Sequence, residues 1–314
     1  MSNVLSIKRS PRVLFFGMRG NFSPPSLAAL LESGIEVCAV IMPASPLPGS
    51  HPPAIQRKVQ ARALRTSLPL LKTPSRASIV QMAWEQQIPV WEVHRLASAE
   101  TVATLAAYEP DVICVACFSL RIPRAVRDLP RLGCLNVHPS LLPANRGPVP
   151  LFWTFREGHE MTGVTIHCIN EGIDSGDILA QESIEVPDGV SYDQLEMRCA
   201  VRGGALLAHT VWDFDAQRAV CVPQNETKSS YHAFPSDEDM TVCAETWSAR
   251  HIYNFVRGIG HWSGPVRLRV GTEMLLICDS TSYGYKVRAS AGNEEAIVRC
   301  KDGWVNVSMA AEEE

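Results

Sequence analysis

The sequence predicts an α/β protein: a parallel sheet flanked by helices, followed by a smaller C-terminal antiparallel β-barrel. Three observations carry this. A strand-like run at 12–16 is followed by a loop, an apolar helical repeat and a second strand, the order of a right-handed parallel crossover. Residues 111–118 are almost continuously apolar, as in a strand covered on both faces. From Thr241 onward the pattern changes to short alternating segments separated by glycine-containing turns, the spacing of a small barrel.

Taken in order, 12–16 is β-branched and aromatic, and Gly17 and Gly20 interrupt it. Leu27, Leu30 and Leu31 recur at helical spacing over 24–33, with Gly34 as a helix stop, and 35–42 is a second strand. Residues 43–76 are rich in Pro, Ser and basic side chains, and no acidic residue lies between Val37 and Trp84. That segment is either a solvated loop or one that meets an anion such as a phosphate or a nucleic acid. A helix over 78–87, a short strand over 89–93, a helix capped by Ser98 and the apolar strand follow. Strands are predicted at 134–138, at 162–169 as a half-buried alternating strand, and at 178–186. A long helix over 191–212 is weakened in its middle by Gly203 and Gly204. After it come a helix over 248–256 and five short strands at 266–270, 274–279, 285–288, 296–300 and 304–307.

The 314 residues suggest two domains, divided as 1–212, a polar linker 213–235, and 236–314. A chain this long buries about 75% of its unfolded surface and needs no staples. Apolar residues at 46% and charged residues at 20% are ordinary for a globular protein and exclude a disordered, collagenous or coiled-coil chain. No apolar run approaches the roughly 18 residues of a membrane span, so a cytoplasmic location is expected. The net charge of −4 gives no general affinity for polyanions. The ten cysteines are scattered, and the single Cys-x-x-Cys, Cys114 to Cys117, lies in a strand pattern rather than at a helix start. Zinc spacing is missing, so buried reduced thiols and no metal are expected.

Chemistry concentrates in two stretches. Asn136 and His138 are two apart on a strand and share a face, and Pro139 and Pro143 then force the chain out of the sheet. Open α/β sheets place ligands at such strand ends. Gly172, Asp174, Gly176 and Asp177 follow in a loop between two strands. Taken singly, the first pair is compatible with a structural role and the second with a tight turn.

Together they resemble the folate-dependent formyltransferase family, whose pattern Asn-x-His-x-Ser-Leu-Leu-Pro-x-x-Arg-Gly, Gly-Val-Thr and Gly-x-Asp-x-Gly-Asp is matched at 136–147, 163–165 and 172–177. The first strand and loop, Phe15 to Phe22, resemble the family start. Trp247 to Gly264, with Ile252, Arg257 and Trp262, is similar to the beginning of the C-terminal domain of methionyl-tRNA formyltransferases. The resemblance implies a Rossmann-like catalytic domain and an OB-like barrel. It implies formyl transfer from 10-formyltetrahydrofolate to a primary amine without a metal. Asn136, His138 and Asp174 would be the catalytic set. Phe118, Ser119 and Leu120, with Ser140, Leu141, Leu142 and Pro143, would line the folate. For an initiator tRNA acceptor, Arg57, Lys58, Arg62 and Arg146 are the expected contacts.

These residue types suit the reaction. An amine attacking a formyl carbon creates an oxyanion, which an Asn136 N–H and a donating His138 would stabilise. Asp174 would orient His138 and help remove the amine proton. A nicotinamide dehydrogenase is disfavoured, because 17–23 lacks Gly-x-Gly-x-x-Gly. A non-catalytic Rossmann-like binding module would leave the three polar residues unexplained. The acceptor divides the observations. Length and the basic segment favour tRNA, but from Arg218 onward there are ten basic and thirteen acidic residues, and the loop has Pro46-Leu-Pro-Gly49 where the family carries Pro-Asp-Arg-Pro-x-Gly-Arg. A sugar-nucleotide or other small amine is therefore the alternative.

Overall fold

In a computed structural model of the chain, the described residues are 9–45, 52–60, 78–262, 264–286 and 295–310. They form two compact units. The first comprises residues up to His138 together with 164–181 and 200–224. The second comprises 139–163, 182–199 and the residues from Asn225 onward.

The first unit is built on β1 (Arg12–Gly17), α1 (Ser23–Glu32), β2 (Glu36–Pro43), β3 (Ile55–Lys58), α2 (Ile79–Glu85), β4 (Val90–Val93), α3 (Ala99–Ala106), β5 (Val112–Ala116), α4 (Arg124–Arg127) and β6 (Gly133–His138). After α5 (Pro150–Arg156) come β7 (Met161–Cys168), β8 (Ile178–Glu185) and the 24-residue α6 (Tyr192–Asp215). The eight-stranded sheet has the order β3-β4-β2-β1-β5-β6-β7-β8. β2 and β5 pair with β1 in parallel on opposite sides, so the winding reverses there. β4 on β2 and β6 on β5 extend the parallel run. β3 on β4 and β7 on β6 are antiparallel, and these two departures lie outside the predicted parallel core.

Burial explains the middle. Leu14, Phe16, Ile41, Leu105 and Ile113 form a core cluster from which solvent is excluded. Truncating any of them to alanine costs about 2–5 kcal/mol. Ser98 accepts from the Thr101 N–H, as the cap reading expects, and Ser78 caps its helix in the same way by accepting from the Gln81 N–H. The paired glycines of α6 allow close packing: a Cβ on Gly203 would meet the side chains of Val137 and Val164, and one on Gly204 would meet the Pro25 carbonyl.

Four readings change. The loop expected over 43–76 contains strand β3 at the sheet edge, where Ile55 is buried. α4 and α5 are too short to leave a helical period in the sequence. β7 is buried on both faces: α6 packs against Val164 on one, and on the other Thr165 and His167 are buried with side-chain partners in Gln181 and Asn136. The ten cysteines form no disulfide, but only Cys114, Cys134, Cys199 and Cys300 are buried, and Cys117 and Cys221 are exposed; at Cys117 the strand has ended at Ala116 and the backbone turns to φ +57°.

The second unit holds α5 and a five-stranded sheet of β9 (Thr241–Cys243), β10 (Val266–Val270), β11 (Glu273–Gly284), β12 (Glu295–Arg299) and β13 (Trp304–Met309), in the order β12-β13-β11-β10-β9. Its pairings are antiparallel except β9 on β10. The strand reading is matched at 266–270, 274–279, 296–300 and 304–307, and only the start of 285–288 falls among the described residues. Helix α7 (Ala249–Ile259) begins on the Ser248 cap. Phe152 of α5 meets Phe255 of α7 edge-on at 5.9 Å, and the Arg156 guanidinium sits 4.8 Å from the Trp247 ring. Among the described residues no helix is long and apolar enough to cross a membrane.

Candidate active site

The first unit brings together Asn136, His138 and Asp174, with one further side chain. Asn136 and His138 end β6 on one face. β7 runs antiparallel beside it, so Asn136 pairs in register with His167 and His138 with Thr165. His138 is buried, and its Nδ1 lies 3.7 Å from Asp174 Oδ2. His167 Nε2 lies 3.6 Å from the other carboxylate oxygen and 3.1 Å from Asn136 Nδ2. The carboxylate thus stands between two imidazoles at distances slightly beyond a direct hydrogen bond. The predicted residues converge, and His167 joins them. Its sequence signal was present: cross-strand register puts it on the Asn136 face once β6 and β7 are known to be neighbours.

Asp174 adopts φ +48°, uncommon for a residue with a side chain. The loop around it is tightly bound. Asn170 Oδ1 accepts from Gly172 N–H at 2.9 Å and Ser175 Oγ at 3.1 Å. The Cys168 N–H donates to the Asp177 carbonyl, and Gly176 fits beneath it because a Cβ there would lie 1.8 Å from the Cys168 carbonyl oxygen. Gln224, from the segment read as a linker, donates from Nε2 to the carbonyls of Asp174 and Gly176. Arg121 donates to the Glu171 carbonyl.

The other predicted residues are distributed. Phe118 and Leu120 pack partly against the core, with Phe118 edge-on to Phe16 at 5.2 Å, and Ser119 is exposed. In the second unit Ser140 is buried, its Oγ donating to the Ala144 carbonyl at 2.8 Å, and Leu142 is buried before a cis Pro143. Leu141 packs against the space that Gly163 leaves open. Arg146 is buried and grips both Glu226 oxygens at 2.8 and 2.9 Å, which holds that carboxyl below its usual range. Arg57 is exposed on β3, Lys58 is ion-paired with Glu92, and Arg62 lies outside the described residues. A cavity of about 150 Å³ in the second unit is lined by Glu157, His159, Arg250 and His251 among others. Its charges are internally matched: Arg250 pairs with Glu160 and Asp188, and His159 with Glu157. Among the described residues no group of three or more His, Cys, Asp or Glu side chains is placed to hold a metal ion.

An amide, an imidazole and a carboxylate gathered at the carboxyl end of an interior strand can stabilise an oxyanion and move a proton, the chemistry that group transfer of the acyl or formyl class requires. The comparisons with known proteins agree. A formyl transferase family model matches residues 56–211. The methionyl-tRNA formyltransferase of Syntrophus aciditrophicus is 31% identical over 91% of this chain and 81% of its own length. That of Pelobacter propionicus is 30% identical over 94% and 86%. An N-formyltransferase from Helicobacter canadensis, solved with folinic acid and dTDP-3-aminofucose, shares the fold with a TM-score of 0.64 at 18% identity, over 94% of this chain and 98% of its own. The chain belongs to the folate-dependent formyltransferase family.

Proposed function

We propose that this enzyme transfers the formyl group of 10-formyltetrahydrofolate to the amino group of methionyl-tRNA. The observation that carries the reading is the convergence of Asn136, His138 and Asp174 in a chain that spans most of the length of two methionyl-tRNA formyltransferases. The amine nitrogen attacks the formyl carbon, and the carbonyl oxygen takes the charge. Asn136 and His138 donate to that oxygen, which is commonly the largest catalytic contribution. Collapse breaks the bond to the folate N10, so the amine loses one proton and N10 gains one. Asp174, beside the His138 ring, orients it and assists the proton's departure. Phe118, Ser119 and Leu120, with Ser140, Leu141, Leu142 and Pro143, would hold the folate. The apolar side chains among them suit a flat heterocycle. Arg57, Lys58, Arg62 and Arg146 would contact the tRNA; Arg146 is buried against Glu226 and Lys58 is paired with Glu92, so each would have to exchange its carboxylate for a phosphate. We assign 1–212 to catalysis, 213–235 to a linker and 236–314 to a second domain, and place the activity in the cytoplasm at translation initiation.

The acidic balance from Arg218 onward favours a second reading, a sugar-nucleotide or other small amine as acceptor. Competition between charged initiator tRNA and amino sugars for the formyl group separates the two. A tRNA acceptor requires kcat/KM to fall steeply with salt and on charge reversal at Arg57 and Arg62. Salt-independent turnover of a small amine overturns the tRNA assignment.

A further inference from the structure

We propose that His167 is a positioning residue for formyl transfer: its imidazole holds the Asn136 side-chain amide so that one N–H faces the developing oxyanion. The inference rests on the formyl-transfer reading above.

A buried histidine commonly does no more than satisfy nearby backbone, and one nitrogen of this ring does so: Nδ1 lies 2.9 Å from the Cys168 carbonyl oxygen. A carbonyl only accepts, so Nδ1 carries a proton, and in the neutral ring that the proposal requires Nε2 presents a lone pair. That lone pair meets the Asn136 side chain at 3.1 Å. An acceptor there requires the amide nitrogen, not its oxygen, on the His167 side. The Asn136 amide is therefore fixed against the flip that would exchange its donor and acceptor ends. One of its two N–H bonds is spent on His167, and the geminal N–H is directed away from that ring. Asn136 thus acts as a donor to substrate because His167 acts as an acceptor behind it.

The same tautomer decides which imidazole serves Asp174. In that neutral tautomer Nε2 of His167 has no proton to give the carboxylate 3.6 Å away. His138, whose Nδ1 is 3.7 Å from the other oxygen, is the ring left to exchange a proton with it. The two buried histidines, with ring centres 6.2 Å apart, hold separate tasks: one aims the amide and the other serves the reacting atoms.

Two substitutions separate aiming from mere packing. In His167→Gln the side-chain oxygen can stand where Nε2 stood and accept from Asn136. In His167→Asn the shorter amide can still serve the Cys168 carbonyl but cannot reach Asn136. Steady-state kinetics use the full chain with 10-formyltetrahydrofolate and methionyl-tRNA, or the amine that the competition experiment returns. We expect His167→Asn to lower kcat about 10- to 100-fold with both KM values within twofold, since loss of aim at a reacting atom costs up to about that much. His167→Gln should stay within about threefold of the parent. Because His167 works through Asn136, His167→Asn combined with Asn136→Ala should be no slower than Asn136→Ala alone. Equal kcat for the Gln and Asn variants, a loss carried by KM, or multiplication of the two single losses overturns the proposal. Thermal midpoints accompany each variant, and His167→Phe replaces the Asn variant in the same comparison if that chain does not fold. Transfer by the parent that is unaffected by His138→Ala and Asp174→Ala overturns the reading of the site itself. Transfer that needs those two residues but ignores His167→Asn and His167→Phe overturns the positioning role alone.

Discussion

The side-chain amide of Gln224 donates to the main-chain carbonyl of Asp174 at 2.8 Å and, with its other N–H, to that of Gly176 at 2.7 Å. A residue 50 positions downstream thus sets the backbone from which the carboxylate projects. Replacing Gln224 with leucine removes both bonds, each worth about 1 kcal/mol net. We expect faster amide hydrogen exchange confined to 172–177 and about a tenfold fall in kcat, read by exchange mass spectrometry and steady-state kinetics. Unchanged exchange in that loop would show that Gln224 is not its clamp.

Gly176→Ala tests the same loop from below. The added methyl would overlap the Cys168 carbonyl oxygen, so the backbone must move and strain the bond between Cys168 N–H and the Asp177 carbonyl. A loss of about 1–3 kcal/mol in urea denaturation is expected, together with reduced turnover.

Alanine at Asn136, His138 or Asp174 should each lower kcat by about 10²–10³-fold. The double change at His138 and Asp174 should be little worse than the worse single one, because the pair acts as a unit. Full multiplication of the two losses would assign them independent roles.

Acid should loosen the first unit through Asp111. Burial alone would raise this carboxyl's pKa, but the Arg12 N–H and the Arg131 and Arg9 guanidiniums outweigh it and hold the pKa below the ordinary 3.8. The stability it contributes is therefore complete above the ordinary value and is lost as pH falls through the lower folded one. Urea midpoints measured from pH 6 to 2.5 should drop steeply at the acid end for the parent and less steeply for Asp111→Asn, which starts from a lower plateau.

Thiol reagents should distinguish the cysteines by burial. Burial pushes Cys134 and Cys199 up to about 12 and Cys114 higher still, which keeps them as unreactive thiols. Cys117 and Cys221 are exposed. Iodoacetamide on the native protein should label these two first, and Cys114, Cys134 and Cys199 only after unfolding. Early labelling of Cys114 would contradict the packing of β5.

Much of this was legible before any coordinates. The apolar run at β5, the serine caps and the alternating strands after Val266 are local signals, and the structure places elements on all of them. The residues of the site were legible because their spacing matches a family pattern. Relationships between distant segments were not legible. Nothing local announces that Gln224 reaches Asp174, that Arg146 is held by Glu226, or that β3 returns antiparallel to the sheet edge. The face occupied by His167 was visible as alternation, but its meaning required knowing which strand lay beside it.

The contact between Gly203 of α6 and Val137 bears on how such a protein changes its chemistry over time. Residue 137 sits between Asn136 and His138, and the helix is seated so closely behind it that there is no room for a methyl group. The strand that carries Asn136 and His138 is in effect cast against a rigid backing. Selection or engineering for a new amine would have to leave this backing alone and vary the segments in front of it, so a library aimed at altered acceptor preference belongs in the loops rather than in α6, β6 or β7.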